Sequence, residues 1–224
     1  MKRALSLYQY AAPIILGPLS FVLWQRTYNG NLKLMAAAWL VPVLWAYIVP
    51  GIGTNVLKVW EFDTRLRLGR FRPHHGFVFG SATAMLAWLA HAGAARDLWD
   101  VARNALVLCC VIGFVNVLYD VKVLQAGILR VYNQPWAEGK GAGEIALDYG
   151  PWFFGGFGAV YGAGIGWMEW LDARGALSGQ VFAAAFSVML VLSLVLPVAG
   201  YVLQSIRRHG HWGTRPVTKQ CQSV

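Results

Sequence analysis

Apolar residues in this chain fall into long runs rather than at the spacing of an amphipathic surface helix. Six runs approach the 20 or so helical residues that the hydrocarbon core of a bilayer requires. They cover about 5–24, 34–57, 76–95, 104 to beyond 120 (toward Arg130), 149–170 and 181–206. Short polar connections separate them. The pattern predicts an all-α integral membrane protein, a bundle of about six transmembrane helices. Residues 1–206 form a single membrane domain and 207–224 a basic cytoplasmic tail.

Prolines and glycines modulate these runs. Gly17-Pro18 predicts a kink in the first span, and Pro50-Gly51-Ile52-Gly53 an offset or unwound inner half of the second, with a cavity near residues 50–55. The third span carries the small-residue row Gly76, Gly80, Ala84, and the fifth the row Gly158, Gly162, Gly166. Such rows allow close helix approach, so the fifth span belongs in the crowded centre of the bundle or at an oligomer contact. The start, Met1-Lys2-Arg3 before an apolar run, is like a signal peptide. Tyr8, Gln9, Tyr10 and Pro18 interrupt that run without a small-x-small cleavage site, so it reads as a retained helix.

Composition agrees, because 57% hydrophobic and 13% charged residues give more apolar surface than a globular domain of 224 residues can bury. Charge adds orientation. Of 19 Lys and Arg residues, Arg26, Lys33, Arg96, Arg103 and Arg174 fall on one side of the spans and the remaining fourteen on the other. The positive-inside rule then places both termini in the cytoplasm, in a bacterial inner membrane or a eukaryotic endomembrane. The same asymmetry accounts for the net charge of +9 without nucleic acid as a partner. Cys109, Cys110 and Cys221 form no CxxC pair, and no histidine spacing suits a metal, so neither metal nor cofactor is expected.

Ionisable groups within a membrane domain are expensive, so each is a candidate for function. Glu61 and Asp63 follow the second span, His74 and His75 precede the third, and Asn116, Tyr119 and Asp120 lie toward the end of the fourth. Asp148 opens the fifth, after Asn133 in a polar loop. All share the inner half. Asp97, Asp100, Glu169 and Asp172 fall on the outer rim, and His91, His209 and His211 look peripheral. Asp120 lies sixteen residues after Asn104, about 24 Å along a helix. Its ordinary alternative is an interfacial ion pair with Lys122 or Arg130. Glu61 adjoins Trp60, and a carboxylic acid desolvated against aromatic rings holds its proton to higher pH and can donate it. Its alternative is to offset Lys58, Arg65 and Arg67. For Asp148 the favoured role is that of a helix cap, since Asp is a preferred cap residue, with a part in the site as the alternative.

Together these residues suggest an integral membrane enzyme acting on a hydrophobic isoprenoid or lipid substrate by acid–base cyclisation, isomerisation or hydration. Glu61 is the proton donor and Asp120 or Asp148 the positioning or accepting group. Trp60, Asp63, His74, His75, Asn116, Tyr119 and Asn133 surround the substrate. The size, the bundle and the Trp60-Glu61 pair resemble the small membrane terpene cyclases of fungal meroterpenoid pathways, which implies cyclisation; the final helix lacks the matching acid. The alternative is a small-solute transporter or substrate-binding subunit, built on the broken second span and the glycine-rich fifth. Prenyl transfer would need paired aspartate motifs, which are missing.

Overall fold

The computed structural model describes residues 2–218, so Lys219 and Cys221 lie outside the described residues. Most of the chain is helical. α1 (Lys2–Ala11) passes through a π-helical turn, Ala12–Leu16, into α2 (Gly17–Thr27). α3 (Leu32–Gly51) ends in a second π turn, Ile52–Val56. After β1 (Trp60–Phe62) come α4 (His75–Ala90) and α5 (Leu98–Gln125). β2 (Leu129–Val131) and the short α6 (Gln134–Ala137) lead to α7 (Ala142–Gly150), which joins α8 (Phe157–Asp172) through a third π turn, Pro151–Gly156. α9 (Gly179–His209) is last. Four of these helices are long and apolar enough to cross a membrane: Lys2–Thr27, Leu32–Val56, Leu98–Gln125 and Gly179–His209. α4 is apolar but shorter.

Each π turn contains or closely follows a proline: Pro13, Pro50 or Pro151. Proline removes one i→i−4 bond and crowds the preceding turn, and widening to an i→i−5 bond restores the ladder without breaking the rod. Gly17 N donates to Ala12 O and Leu57 N to Ile52 O in this way. The second span is therefore continuous rather than unwound, and the irregularity in the first span sits before Gly17-Pro18 rather than at it.

Several boundaries differ from the sequence reading, and the third span ends at Ala90 rather than near residue 95. The fourth long helix starts at Leu98, because Asp97 caps it by accepting from Asp100 N at 2.8 Å, and it stops at Gln125, short of Arg130. The fifth is helical from Ala142, eight residues before Gly150 ends α7. The last continues past Ile206 to His209, where Gly210 adopts φ 72° and stops it.

The glycine row of α8 packs on α5. A Cβ added at Gly158 or Gly162 would collide with the carbonyl oxygen of Leu108 or Asn104, and one at Gly166 would press on Val101. This row is covered by α5 within the chain. α4 approaches α3 in the same manner, Gly76 against the Tyr47 ring and Gly80 against Val43. Indole hydrogen bonds tie the rods together: Trp24 Nε1 donates to Ala84 O at 2.9 Å and Trp45 Nε1 to Ser193 O at 2.8 Å. Outward faces of α5 and α9 carry Leu106, Phe114, Leu118, Val188, Val191 and Val195, all exposed, as lipid contact requires.

At the end of the bundle remote from the termini, Glu169 is 1% exposed rather than at the rim. Its Oε1 accepts from Tyr28 Oη and His91 Nε2, both at 2.7 Å, and its Oε2 from Ala95 N at 2.9 Å. His91 is accordingly part of the core. Glu169→Ala is expected to destabilise the protein by about 3 kcal/mol, since three buried donors lose their acceptor. Asp172→Ala, which loses only contacts to Asn31 Nδ2, should change stability by less than about 1 kcal/mol. Denaturation of the purified variants in detergent measures both.

The other end is closed by an element the sequence reading did not contain. β1 and β2 form an antiparallel two-stranded sheet with Trp60 opposite Val131, Glu61 opposite Arg130 and Phe62 opposite Leu129. The fold is thus mostly rather than wholly helical.

Candidate functional site

Alternation along β1 decides which of its side chains can meet a substrate, because successive residues of a strand point to opposite faces. Trp60 and Phe62 face the bundle with Leu129 and line a cavity of about 230 Å³ among α1, α3, α4, α5 and α7. Glu61 points the other way. Its Oε2 accepts from Tyr132 Oη at 2.6 Å, its Oε1 lies 3.9 Å from Arg67, and Arg130 is its cross-strand partner. Burial, with the Glu61 carboxylate second, raises the Tyr132 hydroxyl above its ordinary range, so Tyr132 stays protonated and donates. Glu61 does not line the cavity, which removes it from the proton-donor position expected from its adjacency to Trp60.

The cavity wall is mainly aromatic. Trp45, Trp60, Phe62, Phe79, Phe153 and Phe154 contribute rings, with Trp60 edge-on to Phe153 at 5.3 Å. Its polar residues gather in one corner: Arg72, His75, Asn116, Tyr119, Asp120 and Tyr149, with Tyr8 beside Tyr119 at 5.5 Å. Asp120 is 9% exposed and belongs to no ion pair among the described residues; neither Lys122 nor Arg130 reaches it. Tyr149 Oη donates to Asp120 Oδ2 at 2.6 Å. Asn116, one turn earlier, donates its Nδ2 to Ile112 O at 2.9 Å, which leaves its oxygen to the cavity wall.

Four further expected residues, Asp148, Asn133, Asp63 and His74, stand apart from the cavity. Asp148 lies inside α7 rather than capping it, and its carboxylate is occupied by His209 Nε2 at 2.8 Å and Asn133 Nδ2 at 3.0 Å. Asp148 and Asn133 therefore lock α9 and the polar loop to α7 and do not line the cavity, and His209 is part of that lock. Asp63 is exposed, its backbone N donating to Ile128 O. His74 stacks on Tyr10 at 5.0 Å; burial and the Arg72 guanidinium hold its imidazole below the ordinary value, so it is neutral at pH 7.

Arg72 and Tyr149 line the cavity without being among the residues expected to act or bind there, although the run Arg72-Pro73-His74-His75-Gly76 offers a general base or a phosphate contact in the sequence. Arg72 stood in a charged run and was counted with the interfacial arginines, yet it is 2% exposed. Tyr149 was seen only as a span boundary. A lone acid near a span end without a basic residue at i±4 was the available signal for a hydroxyl partner, since position 116 is Asn and position 124 is Leu.

A second cavity of about 290 Å³ lies between the π turn Ile52–Val56 and α9, under Gly213 and Thr214. Trp60, Tyr149 and Phe153 form the partition between the two. Trp60 is held there because its ring lies flat on Gly53, where any Cβ would collide with it. No group of three or more His, Cys, Asp or Glu side chains among the described residues is placed to hold a metal ion. No protein-family model, curated protein or solved structure matches this chain.

Proposed function

We propose that the protein is a six-pass membrane enzyme that isomerises or cyclises a hydrophobic isoprenoid or lipid substrate by acid–base chemistry in the aromatic cavity. The six crossings are the four long helices, α4, and the α7–α8 rod. Both termini face the cytoplasm, supported by the fourteen-to-five division of Lys and Arg. The observation that carries the reading is Asp120, a carboxyl group held by Tyr149 on the wall of a mainly aromatic cavity.

Asp120 in its acid form passes its proton to an alkene carbon of the substrate and leaves a carbocation. The faces of Trp60, Phe79 and Phe153 stabilise that cation through their quadrupoles, and water is largely excluded by the apolar wall. Loss of a proton from a neighbouring carbon back to Asp120 regenerates the acid, so the net change is isomerisation or ring closure with no external reductant or oxidant. Tyr149 orients the carboxyl group throughout.

The test is mass spectrometry of lipid and isoprenoid extracts from cells expressing wild type, Asp120→Asn, Glu61→Gln or empty vector. A product mass made by wild type and lost in Asp120→Asn supports the reading. Identical extracts from wild type and vector, in a host supplied with mixed polyprenyl and fatty substrates, overturn it and favour solute transport. Glu61→Gln is expected to retain product formation within about threefold of wild type, because Gln keeps an acceptor for Tyr132 and nothing in the cavity changes.

A further inference from the structure

The polar corner of the first cavity offers more hydrogen-bond donors than the protein supplies acceptors. Arg72 is always cationic and 2% exposed, yet none of the ion pairs among the described residues includes it. Its Nε donates to His75 Nδ1 at 2.9 Å, a terminal nitrogen reaches Gln9 Oε1 at 3.4 Å, and the guanidinium lies over the Phe62 ring at 4.6 Å. A guanidinium carries five N–H donors, and these partners use two of them. An imidazole that accepts at Nδ1 is neutral and carries its proton on Nε2, so His75 adds another donor on a side chain lining the cavity. The buried Tyr119 hydroxyl has no hydrogen bond of 3.5 Å or less and meets the same guanidinium only at longer range, as does the Asp120 carboxyl. Asp120 commits Oδ2 to Tyr149.

A buried cation without an anion in contact is costly, and a ligand that brings the anion removes that cost. We propose that Arg72, with His75 and Tyr119, binds the anionic head of an amphipathic substrate, a carboxylate or phosphate, while its apolar chain lies along Trp60, Phe79 and Phe153. The planar fork of arginine matches either head in a bidentate arrangement. Rings in the rest of the wall have no use for a second charge, which confines the head to this corner. This rests on the acid–base reading of the cavity and narrows the substrate from any isoprenoid or lipid to a fatty or isoprenoid acid or phosphate ester, against neutral alcohols and hydrocarbons. It also sets the carbons nearest the head beside Asp120.

The test uses the full-length protein in phosphatidylcholine nanodiscs, titrated with 9,10-dibromostearate, 9,10-dibromostearyl phosphate and 9,10-dibromostearyl alcohol, each expressed per mole of lipid. Bromine quenches the cavity indoles Trp45 and Trp60, and the saturable part of the quenching reports occupancy. At least one anionic chain is expected to half-saturate at about one tenth of the level of the alcohol, about 1.4 kcal/mol. The two anionic probes distinguish carboxylate from phosphate. Arg72→Gln should bring that anion to the level of the alcohol. Tyr119→Phe removes one oxygen only, and should weaken the anion several-fold with no effect on the alcohol, which answers the question even if Arg72→Gln folds poorly. Equal half-saturation of charged and uncharged chains in wild type overturns the proposal, as does an anion preference unchanged in Tyr119→Phe. No measurement here needs turnover, so loss of the charge preference would leave the role of Asp120 standing, and an inactive wild type would leave the anion site standing.

Discussion

Asp120→Asn is expected to lower product formation by about 10²- to 10⁴-fold, the range a positioned general acid contributes, while leaving the protein as stable as wild type. Asparagine has the shape of aspartic acid, and its oxygen can still accept from Tyr149 Oη, so the local packing and the 2.6 Å contact have a near-equivalent. It has no proton of suitable acidity to give an alkene and no basic oxygen to take one back. Tyr149→Phe should cost less, roughly ten- to a hundredfold, because it deletes the one hydrogen bond that orients the carboxyl group and leaves the reacting group itself in place. The ordering separates a reacting group from its support. If Asp120→Asn keeps full turnover in a folded protein, the acid–base assignment fails.

The second large effect falls on stability and involves no polar group. Gly162→Ala should destabilise the bundle by about 1–3 kcal/mol, and the double replacement of Gly158 and Gly162 by considerably more. Both collisions are with backbone carbonyls of α5, at Asn104 and Leu108, which cannot rotate aside. Helices in lipid gain little by hiding apolar surface from one another, so close contact along this seam is a main source of cohesion between α5 and α8. Gly164→Ala is the informative control. Its added methyl meets the flexible Met189 side chain, which can move, so the loss should be smaller. Gly143→Ala, with open space around it in α7, should be neutral or slightly stabilising, since alanine favours helix over glycine. Thermal unfolding in detergent orders the four; equal losses at Gly162 and Gly143 would contradict the seam.

The long apolar runs made the rods legible, because length and hydropathy are local properties. The π turns were legible only as trouble near prolines. A proline predicts that a hydrogen bond is lost, but whether the chain kinks, unwinds or widens by one residue depends on its neighbours, and here it widens at Ala12–Leu16 and Ile52–Val56. Trp60-Glu61-Phe62 is too short for alternation to register as a strand, and its partner Leu129–Val131 lies far along the chain. Without that pairing Glu61 and Trp60 looked like neighbours in one site, although the pleat sends them to opposite faces.

Asp120 was legible for the opposite reason. A carboxylate that far along an apolar helix is costly wherever it points, so its sequence position alone marked it. Glu169 carries the same signal: no Lys or Arg stands three or four residues away, and its partners Tyr28, His91 and Ala95 come from elsewhere in the chain. Arg72 was hidden by its surroundings, since one buried guanidinium among Arg65, Arg67 and Arg70 looks like any other member of a solvated run.

The floor of the cavity is made of segments that leave the ribosome at widely separated times. Glu61 must wait for Tyr132, 71 residues later, before its hydrogen bond can form. Trp60 and Phe62 acquire their cross-strand partners only after α5 has been synthesised and inserted. The backbone of Val217 then bonds to Tyr132 O, and Gly213 comes to rest against Tyr201 and Ser205. Until Gly213 and Thr214 arrive, the second cavity stands open beside Trp60, Tyr149 and Phe153. The walls of the first cavity are therefore complete once Phe154 has been made, whereas the second cavity is closed only after α9 has been synthesised.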